Sequence, residues 1–434
     1  MIMPTWCRED FPYLAHIDDD GGVQQLSDHL IGVSGLSERN AEKVGLGAAG
    51  ALIGLLHDLG KYSAEFQSYL WRMAVEPDPR LRDAEKGSVD HSTAGAQVIW
   101  DVLRSRGPIY AVVAEILSIC IVSHHSGIID CLAPNGREAL RLRMAKEDLR
   151  THKTEAWSKV DVEVRERAST LLVDDKLTSS IQSKLREIAG SEQETSLRHF
   201  HTGLLVRILF SGLIDADRTD TADASSPGER QAGRYVDWDV LSERLEGQLS
   251  RLQTASPIGK VRQHIADACL AASVRPRGLF TLTVPTGGGK TLSSLRFALS
   301  HARRWGLERI IYVSPYTSII DQNADVVRNI LEWCDDPFGS IVLEHHGSLD
   351  PAVQTTRSKL LSENWDAPIV FTTSVQFLEA LFGGGTRAVR RMHQLANSVL
   401  VFDEAQTLPV RCVHLFNNAL NFLVAHCGVS AVLC

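Results

Sequence analysis

In the first half of the chain the side chains best able to do chemistry are His and Asp. Leu55-Leu56-His57-Asp58-Leu59-Gly60-Lys61 sets His57 beside Asp58 at the end of an apolar helix, with Gly60 able to terminate it. Adjacent residues point about 100° apart on a helix, so the pair cannot form one stripe of ligands. Either both sit between two metals, or His57 binds one metal while Asp58 bridges. Asp90-His91-Ser92 follows, then Ser123-His124-His125-Ser126-Gly127 after an apolar helix and Leu213-Ile214-Asp215-Ala216-Asp217 after another. Each group begins or ends a helix, where side chains can converge on one crevice. A lone histidine caps a helix or packs in a core, and His16, His152 and His264 are read that way; the joint set is read as a metal site. Two metals about 3.5 to 4 Å apart can activate a water, neutralise developing oxyanion charge and stabilise a leaving alkoxide, as hydrolysis of a phosphodiester would need. Imidazole-rich ligand sets suit Mn, Fe, Co, Ni or Zn better than Mg. Lys61 either stabilises charge on the pentavalent phosphorus or is a solvated surface lysine.

The second half carries a different chemistry. Phe280-Thr281-Leu282-Thr283-Val284-Pro285-Thr286-Gly287-Gly288-Gly289-Lys290-Thr291 reads as strand, glycine loop and a helix from about Leu292. Thr286, Gly287, Gly288 and Gly289 let backbone N–H groups approach phosphate oxygens, Lys290 meets the outer phosphates, and Thr291 holds Mg, so the expected cofactor is ATP with Mg. Val399-Leu400-Val401-Phe402-Asp403-Glu404 is an apolar strand delivering two carboxylates at its C-terminal end, where sheet ligands bind. Asp403 is expected to hold Mg through water and Glu404 to orient the attacking water. Two further strand ends, Pro315-Tyr316-Thr317-Ser318 to Asn323 and Thr372-Thr373-Ser374, place Thr and Ser at helix starts. Their hydroxyls and N–H groups either contact a nucleic-acid backbone or cap the helices.

These side chains need elements to hold them. Apolar residues recur at three and four spacing through Ala48–Leu59, Ala94–Leu103, Val112–Val122 and Leu197–Leu213, so the first half reads as almost all helix with no alternating strand. From Asp217 to Gly233, Asp, Thr, Ser, Pro and Gly cluster without an apolar period, as a linker does. A helical stretch from Trp238 to Ala272 precedes short apolar runs at Leu279–Val284, Arg309–Val313, Ser340–Leu343, Ile369–Phe371, Val399–Phe402 and Val429–Leu433. They alternate with helical patterns, the βαβ rhythm of a parallel sheet. The expected division is 1–220, a linker at 221–236, and 237–434.

At 434 residues the chain has room for two or three domains. With 44% hydrophobic and 23% charged residues it is not mostly disordered, and its net charge of -8 excludes a global basic field, so any nucleic-acid site must be local. Its apolar stretches fall short of the roughly 20 residues of a membrane span, and Met1 to Asp10 lacks a secretory signal, so the cytoplasm is expected. The 8 cysteines form no C-x-x-C pair and read as reduced packing residues.

A His-Asp pair, a single His, a His-His pair and a distal Asp, in that order, resemble the HD phosphohydrolase superfamily. Pro285 to Thr291 resembles superfamily 2 helicases, although Val284 stands where the strict G-x-x-x-x-G-K-T pattern has its first glycine. The two together are similar to the CRISPR-associated helicase-nucleases of type I interference systems. The most specific segments are His57–Lys61, Ser123–Gly127, Val284–Thr291, Pro315–Asn323 and Val401–Leu408. The resemblance implies a multidomain protein: an N-terminal all-α HD-type nuclease domain followed by an α/β RecA-like domain with a parallel sheet. It implies one metal held by His29, His57, Asp58 and Asp215 and another held by Asp58, His91, His124 and His125. It further implies endo- and exonucleolytic cutting of single-stranded DNA, reeled in from 3' to 5', after recruitment by the RNA-guided surveillance complex Cascade. Two departures stand out. Gln406 replaces the histidine of the Asp-Glu-Ala-His box, at a coupling position, so ATP chemistry is expected to survive. The chain stops at Ala431-Val432-Leu433-Cys434, before the coupling motif, so the second RecA-like lobe is expected to be absent from it and a separate lobe is a candidate partner. Rival classes are a nucleotide phosphohydrolase regulated by an ATP-binding domain and a protein that only docks on DNA or Cascade.

Overall fold

A computed structural model describes residues 13–18, 21–76, 78, 80–81, 85, 87–225, 236–252, 256–285, 287–333, 336, 340–347 and 361–434. They divide into two compact units, Met1–Glu229 with Gly384–Thr386, and Arg230–Gly383 with Arg387–Cys434.

The first unit is helical, with one exception to the sequence expectation. Strands β1 (Leu14–Ile17) and β2 (Val23–Gln25) pair antiparallel. They close on a turn in which Asp18 N–H donates to Gly22 O at 2.8 Å and Gly21 N–H to Asp18 O at 3.0 Å. Strands of four and three residues are too short to show a period of two. Helix Leu26–Glu42 then packs along helix Gly47–Leu56, whose sequence GAAGALIGLL is buried on nearly every side. Gly50 and Gly54 make that approach possible: a Cβ on Gly50 would lie 2.3 Å from Ser37 O and one on Gly54 2.7 Å from Ser34 Cα. The helix stops at Leu56, with His57 as its C-cap, and a 3-10 turn, Leu59–Tyr62, follows. Gly60 therefore does not terminate the helix; it lies inside the turn, and its N–H donates to His91 O at 3.1 Å. Helix Thr93–Ser105 packs on helix Pro108–Ser123, with Ser118 Oγ donating to Ala96 O at 3.2 Å.

The last helix of this unit runs Thr195–Ser225, which corrects the linker expected at 221–236: its first five residues are helical. Thr221 Oγ1 donates to Asp217 O at 2.9 Å and Ser225 Oγ to Thr221 O at 3.1 Å. Tertiary partners hold this polar segment in place without an apolar stripe: Asp220 Oδ2 lies 2.8 Å from His29 Nδ1 and Thr221 Oγ1 3.2 Å from His16 Nε2. Residues 226–235 of the expected linker lie outside the described residues.

The second unit begins with helices Trp238–Arg251 and Pro257–Ala272 and then builds a six-stranded sheet. Its strands are β3 (Leu279–Thr281), β4 (Arg309–Ser314), β5 (Val342–His345), β6 (Ile369–Thr373), β7 (Ser398–Phe402) and β8 (Ser430–Leu433). Their order is β3-β8-β7-β4-β6-β5 and every pairing is parallel. β4, β6 and β7 are buried along their whole length, as strands covered on both faces must be. Tyr312 stacks on Phe371 at 4.6 Å within the core they share with Ile310, Val399 and Leu295. The register sets Ser314 level with Thr373 and Val313 level with Phe402, so the loops after β4, β6 and β7 leave the same edge. No helix among the described residues is long and apolar enough to cross a membrane.

Candidate metal centre and nucleotide loop

His57 and His124 each follow a helix by one residue, at the ends of Gly47–Leu56 and Pro108–Ser123. The last carbonyls of a helix lack intrahelical donors. His57 Nδ1–H donates to Gly54 O at 2.8 Å and His124 Nδ1–H to Ile121 O at 2.6 Å. His91 Nδ1–H donates to Val89 O at 3.1 Å, and His29 Nδ1 lies 2.8 Å from Asp220 Oδ2. A carbonyl can only accept, so the hydrogen sits on Nδ1 and the Nε2 of each ring is turned to the interior.

Those four Nε2 atoms converge on the Asp58 carboxylate, which is buried to 1% exposure. Oδ1 lies 3.2 Å from His124 Nε2 and 3.7 Å from His91 Nε2. Oδ2 lies 3.4 Å from His57 Nε2 and 3.8 Å from His29 Nε2. One carboxylate thus faces two imidazole pairs, one pair per oxygen. His125 joins the Oδ1 side, with Nε2 2.6 Å from His91 Nε2. Since His91 carries its hydrogen on Nδ1, His125 supplies the one between them, and both rings would be available to a metal ion.

The residue set fits metal ions. His29 Nε2 and His57 Nε2 are buried with no hydrogen-bond partner. Two atoms about 2.1 Å from a shared ion lie roughly 3 to 4 Å apart, the spacing of the imidazoles about Asp58. Ligand atoms of Asp58, His91, His124 and His125 fall within 4.8 Å of one another, as do those of His29, His57 and Asp58.

Where Asp215 was expected, the carboxylate beside these rings is that of Asp217: its Oδ1 lies 3.5 Å from His29 Nε2 and 3.6 Å from His57 Nε2, while Asp215 accepts from Thr219 Oγ1 at 3.4 Å. Two positions along a helix are about 200° around it, so Asp215 and Asp217 cannot face one site together. The sequence reading missed Asp217 and Asp220 because it ended the helix before them; one turn apart, they share a face. His16, read as an ordinary histidine, stacks edge-on against His29 at 5.1 Å. Lys61 is neither solvated nor free: its ammonium sits 2.7 Å from Asp58 Oδ2 and donates to Ala15 O at 3.1 Å.

Electrostatics follow from this crowding. Burial opposes charge on His57, but Asp58 and Asp217 beside it raise its pKa to about 10. Burial lowers His91 to about 4 and holds His29 below its ordinary value. Burial also works against the Asp58 charge, yet Lys61 and His57 keep its carboxyl well below the usual range.

In the second unit, Gly287 and Gly289 both take φ of 80°, a left-handed conformation that glycine adopts without strain, and helix Lys290–Trp305 starts at once. Gly288 lies between them; Thr286 lies outside the described residues. Lys290 Nζ donates to Asp403 Oδ1 at 3.3 Å and Glu404 Oε1 at 3.2 Å. Both carboxylates leave the C-terminal end of β7. Thr291 Oγ1 donates to Asn323 Oδ1 at 3.1 Å, joining the glycine loop to the helix after β4. A cation bracketed by two carboxylates at a glycine loop and helix N-terminus suits a nucleoside triphosphate with Mg. Capping accounts for Thr373, whose Oγ1 accepts from Gln376 N–H at 3.2 Å, but helix Thr317–Leu331 has no side-chain cap.

Residues 18–207 match the Cas3 HD domain family and residues 264–429 the DEAD/DEAH box helicase family. The CRISPR-associated nuclease/helicase Cas3 of Haloferax volcanii is 26% identical over 403 residues, covering 82% of this chain and 42% of that protein. The crystal structure of T. fusca Cas3-ADP superposes with a TM-score of 0.57 at 17% identity, over 97% of this chain and 50% of that one. The AMPPNP form gives 0.57 at 18%, over 97% and 49%. The chain thus spans half or less of the length of these relatives. Fold and matched families define an HD domain joined to a DEAD/DEAH-box helicase domain. The chain is similar to CRISPR-associated nuclease/helicase Cas3, with a region matching the Cas3 HD domain followed by one matching the DEAD/DEAH box helicase.

Proposed function

We propose that the first unit hydrolyses phosphodiester bonds of single-stranded DNA and that the second binds ATP with Mg as a helicase-type lobe, in type I CRISPR interference. The observation that carries this is the Asp58 carboxylate, with two imidazole Nε2 atoms at each oxygen. His29, His57, Asp217 and Asp58 Oδ2 would hold one divalent transition-metal ion, and Asp58 Oδ1, His91, His124 and His125 another. Such ions activate a water and neutralise the phosphoryl oxygens. The side chains prepare that site. Backbone carbonyls and Asp220 orient the rings, Asp58 ties the two halves together, and Lys61 holds Asp58 in place, a positioning role in place of the direct charge stabilisation its spacing suggested.

In the second unit Lys290 and the loop glycines would take the phosphates, Asp403 the Mg, and Glu404 the attacking water. The helix starts after β4 and β6 would track a DNA backbone. Strand movement would need a second RecA-like lobe, in the same polypeptide or a separate one, to supply arginines to the transferring phosphate. The setting would be the cytoplasm, with a Cascade-type complex presenting the strand.

Metal-loaded protein offered circular single-stranded DNA alongside mononucleotides tests the reading. Nicked and shortened circles are expected. Hydrolysis of mononucleotides alone would replace it with a nucleotide phosphohydrolase, and no hydrolysis at all with a docking protein.

A further inference from the structure

The first unit contains a cavity of about 500 Å³ whose lining includes His91 and His125 together with Arg143, Lys146 and Arg150. The cations come from helix Ala139–Met144, the residues after it and the short helix Asp148–Thr151. Two are fixed. Arg143 Nε donates to Thr93 Oγ1 at 2.9 Å and its Nη2 to Ser92 Oγ at 2.8 Å. Lys146 Nζ donates to Asp90 Oδ2 at 2.5 Å, and Arg143 Nη2 lies 3.6 Å from Asp90 Oδ1. Asp90 immediately precedes His91, so the residue that anchors these cations is chained to one that faces Asp58. Arg150 is exposed. Against the three cations the lining holds two carboxylates, Asp90 and Glu65, and Glu65 Oε2 already accepts from His152 Nε2 at 2.5 Å.

Metal ligands grip only the phosphate that reacts. A polymeric substrate has further charged phosphates on either side of it, and cations beside the ligands are what distinguish polymer from mononucleotide. We propose that this cavity docks the sugar-phosphate backbone next to the scissile bond, with Arg143, Lys146 and Arg150 taking its phosphates while the diester meets the His91 and His125 side of the cluster. The proposal rests on reading the cluster as a DNA-cutting site, and it names the residues by which that site takes a strand.

The test compares kcat/KM for single-stranded DNA with kcat/KM for bis(p-nitrophenyl) phosphate, a diester with no neighbouring phosphates, in wild type, Arg150→Glu and the double variant Lys146→Ala/Arg150→Ala. The DNA-to-diester ratio is expected to fall at least about tenfold, the loss of one charge-assisted contact, through a raised KM. The dependence of log kcat/KM for DNA on log salt should become shallower by about 0.7 for each phosphate contact removed. An unchanged ratio and slope would overturn the docking proposal, and so would equal loss on both substrates, which marks a structural role. Wild-type protein that hydrolyses the small diester but no DNA would instead overturn the reading on which the proposal rests.

Discussion

Asp220 Oδ2 lies 2.8 Å from Nδ1 of His29, a residue 191 positions away in the chain, and Gln24 Nε2 donates to the same oxygen at 2.7 Å. The carboxylate fixes the hydrogen on Nδ1 and leaves Nε2 turned to Asp58 and Asp217. Outer partners of this kind are typically worth 10- to 100-fold in metal affinity. Asp220→Ala is expected to weaken one metal site by about that much while the His91, His124 and His125 side keeps its ion. Metal content per chain, measured across a series of chelator strengths, checks this; full retention of both ions would remove Asp220 from the site.

Asp217 and Asp215 separate cleanly by substitution. Asp217→Ala removes an oxygen 3.5 Å from His29 Nε2 and 3.6 Å from His57 Nε2, so one ion and DNA cutting should be lost together. Asp215→Asn leaves those neighbours in place, and its metal content should match wild type. Elemental analysis of both variants decides, and the reverse pattern would restore Asp215 as the ligand.

His57 gives the metal-free protein a pH signature. With its pKa raised to about 10 by Asp58 and Asp217, the ring is protonated at neutral pH and Nε2 must lose that proton to bind a metal. A proton held below pH 10 competes with the ion, so affinity rises with pH and levels off above 10. Between pH 7 and 9 burial keeps His29, His91 and His125 neutral, and the expected gain from His57 is about tenfold per pH unit, one proton released per ion bound. Calorimetric Kd values for Mn(II) at pH 7, 8 and 9 test the slope. A flat profile would mean that His57 carries no proton for the metal to displace.

Adjacency made half of the centre readable from sequence. His57 with Asp58 and His124 with His125 stand out because both pairs end apolar helices, and the parallel strands stand out because each is a short apolar run between helical patterns. What the sequence reading missed depends on long-range partners. Asp217 and Asp220 lie in a segment with no apolar stripe, so its helix, held by long-range contacts such as that of Asp220 with His29, was read as a linker. A continued four-residue step from Leu209 through Leu213 to Asp217 was the signal that could have found them. Lys61 was left open between two readings, because only the fold brings Ala15 O and Asp58 Oδ2 to its ammonium.

Ligand chemistry sets the choice of metal. Five imidazoles, His29, His57, His91, His124 and His125, accompany the carboxylates of Asp58 and Asp217. Mg favours oxygen and keeps its waters, whereas Mn, Co and Ni accept nitrogen readily. DNA cutting by chelator-stripped protein is therefore expected to return with Mn, Co or Ni and to remain far lower with Mg. Equal recovery with Mg alone would mean that the imidazoles are not the ligands.

Lys290→Ala should separate the two chemistries. The ammonium bridges Asp403 at 3.3 Å and Glu404 at 3.2 Å at the C-terminal end of β7, whereas every residue of the His and Asp cluster belongs to the other compact unit. Burial opposes charge on Lys290, but Asp403 and Glu404 hold its pKa above the ordinary value, so at neutral pH it offers a full positive charge to phosphates. Removing it takes away that charge and leaves Asp403 and Glu404 facing each other's repulsion, which weakens nucleotide binding further. Nucleotide affinity, read from fluorescence of a labelled ATP analogue, should fall at least about tenfold, the loss expected of one charge-assisted contact. Metal-dependent nicking of single-stranded circles without ATP should continue near the wild-type rate, because the cluster and the glycine loop belong to different units. Loss of nicking in a variant that retains its metal and its fold would show that the two sites share machinery.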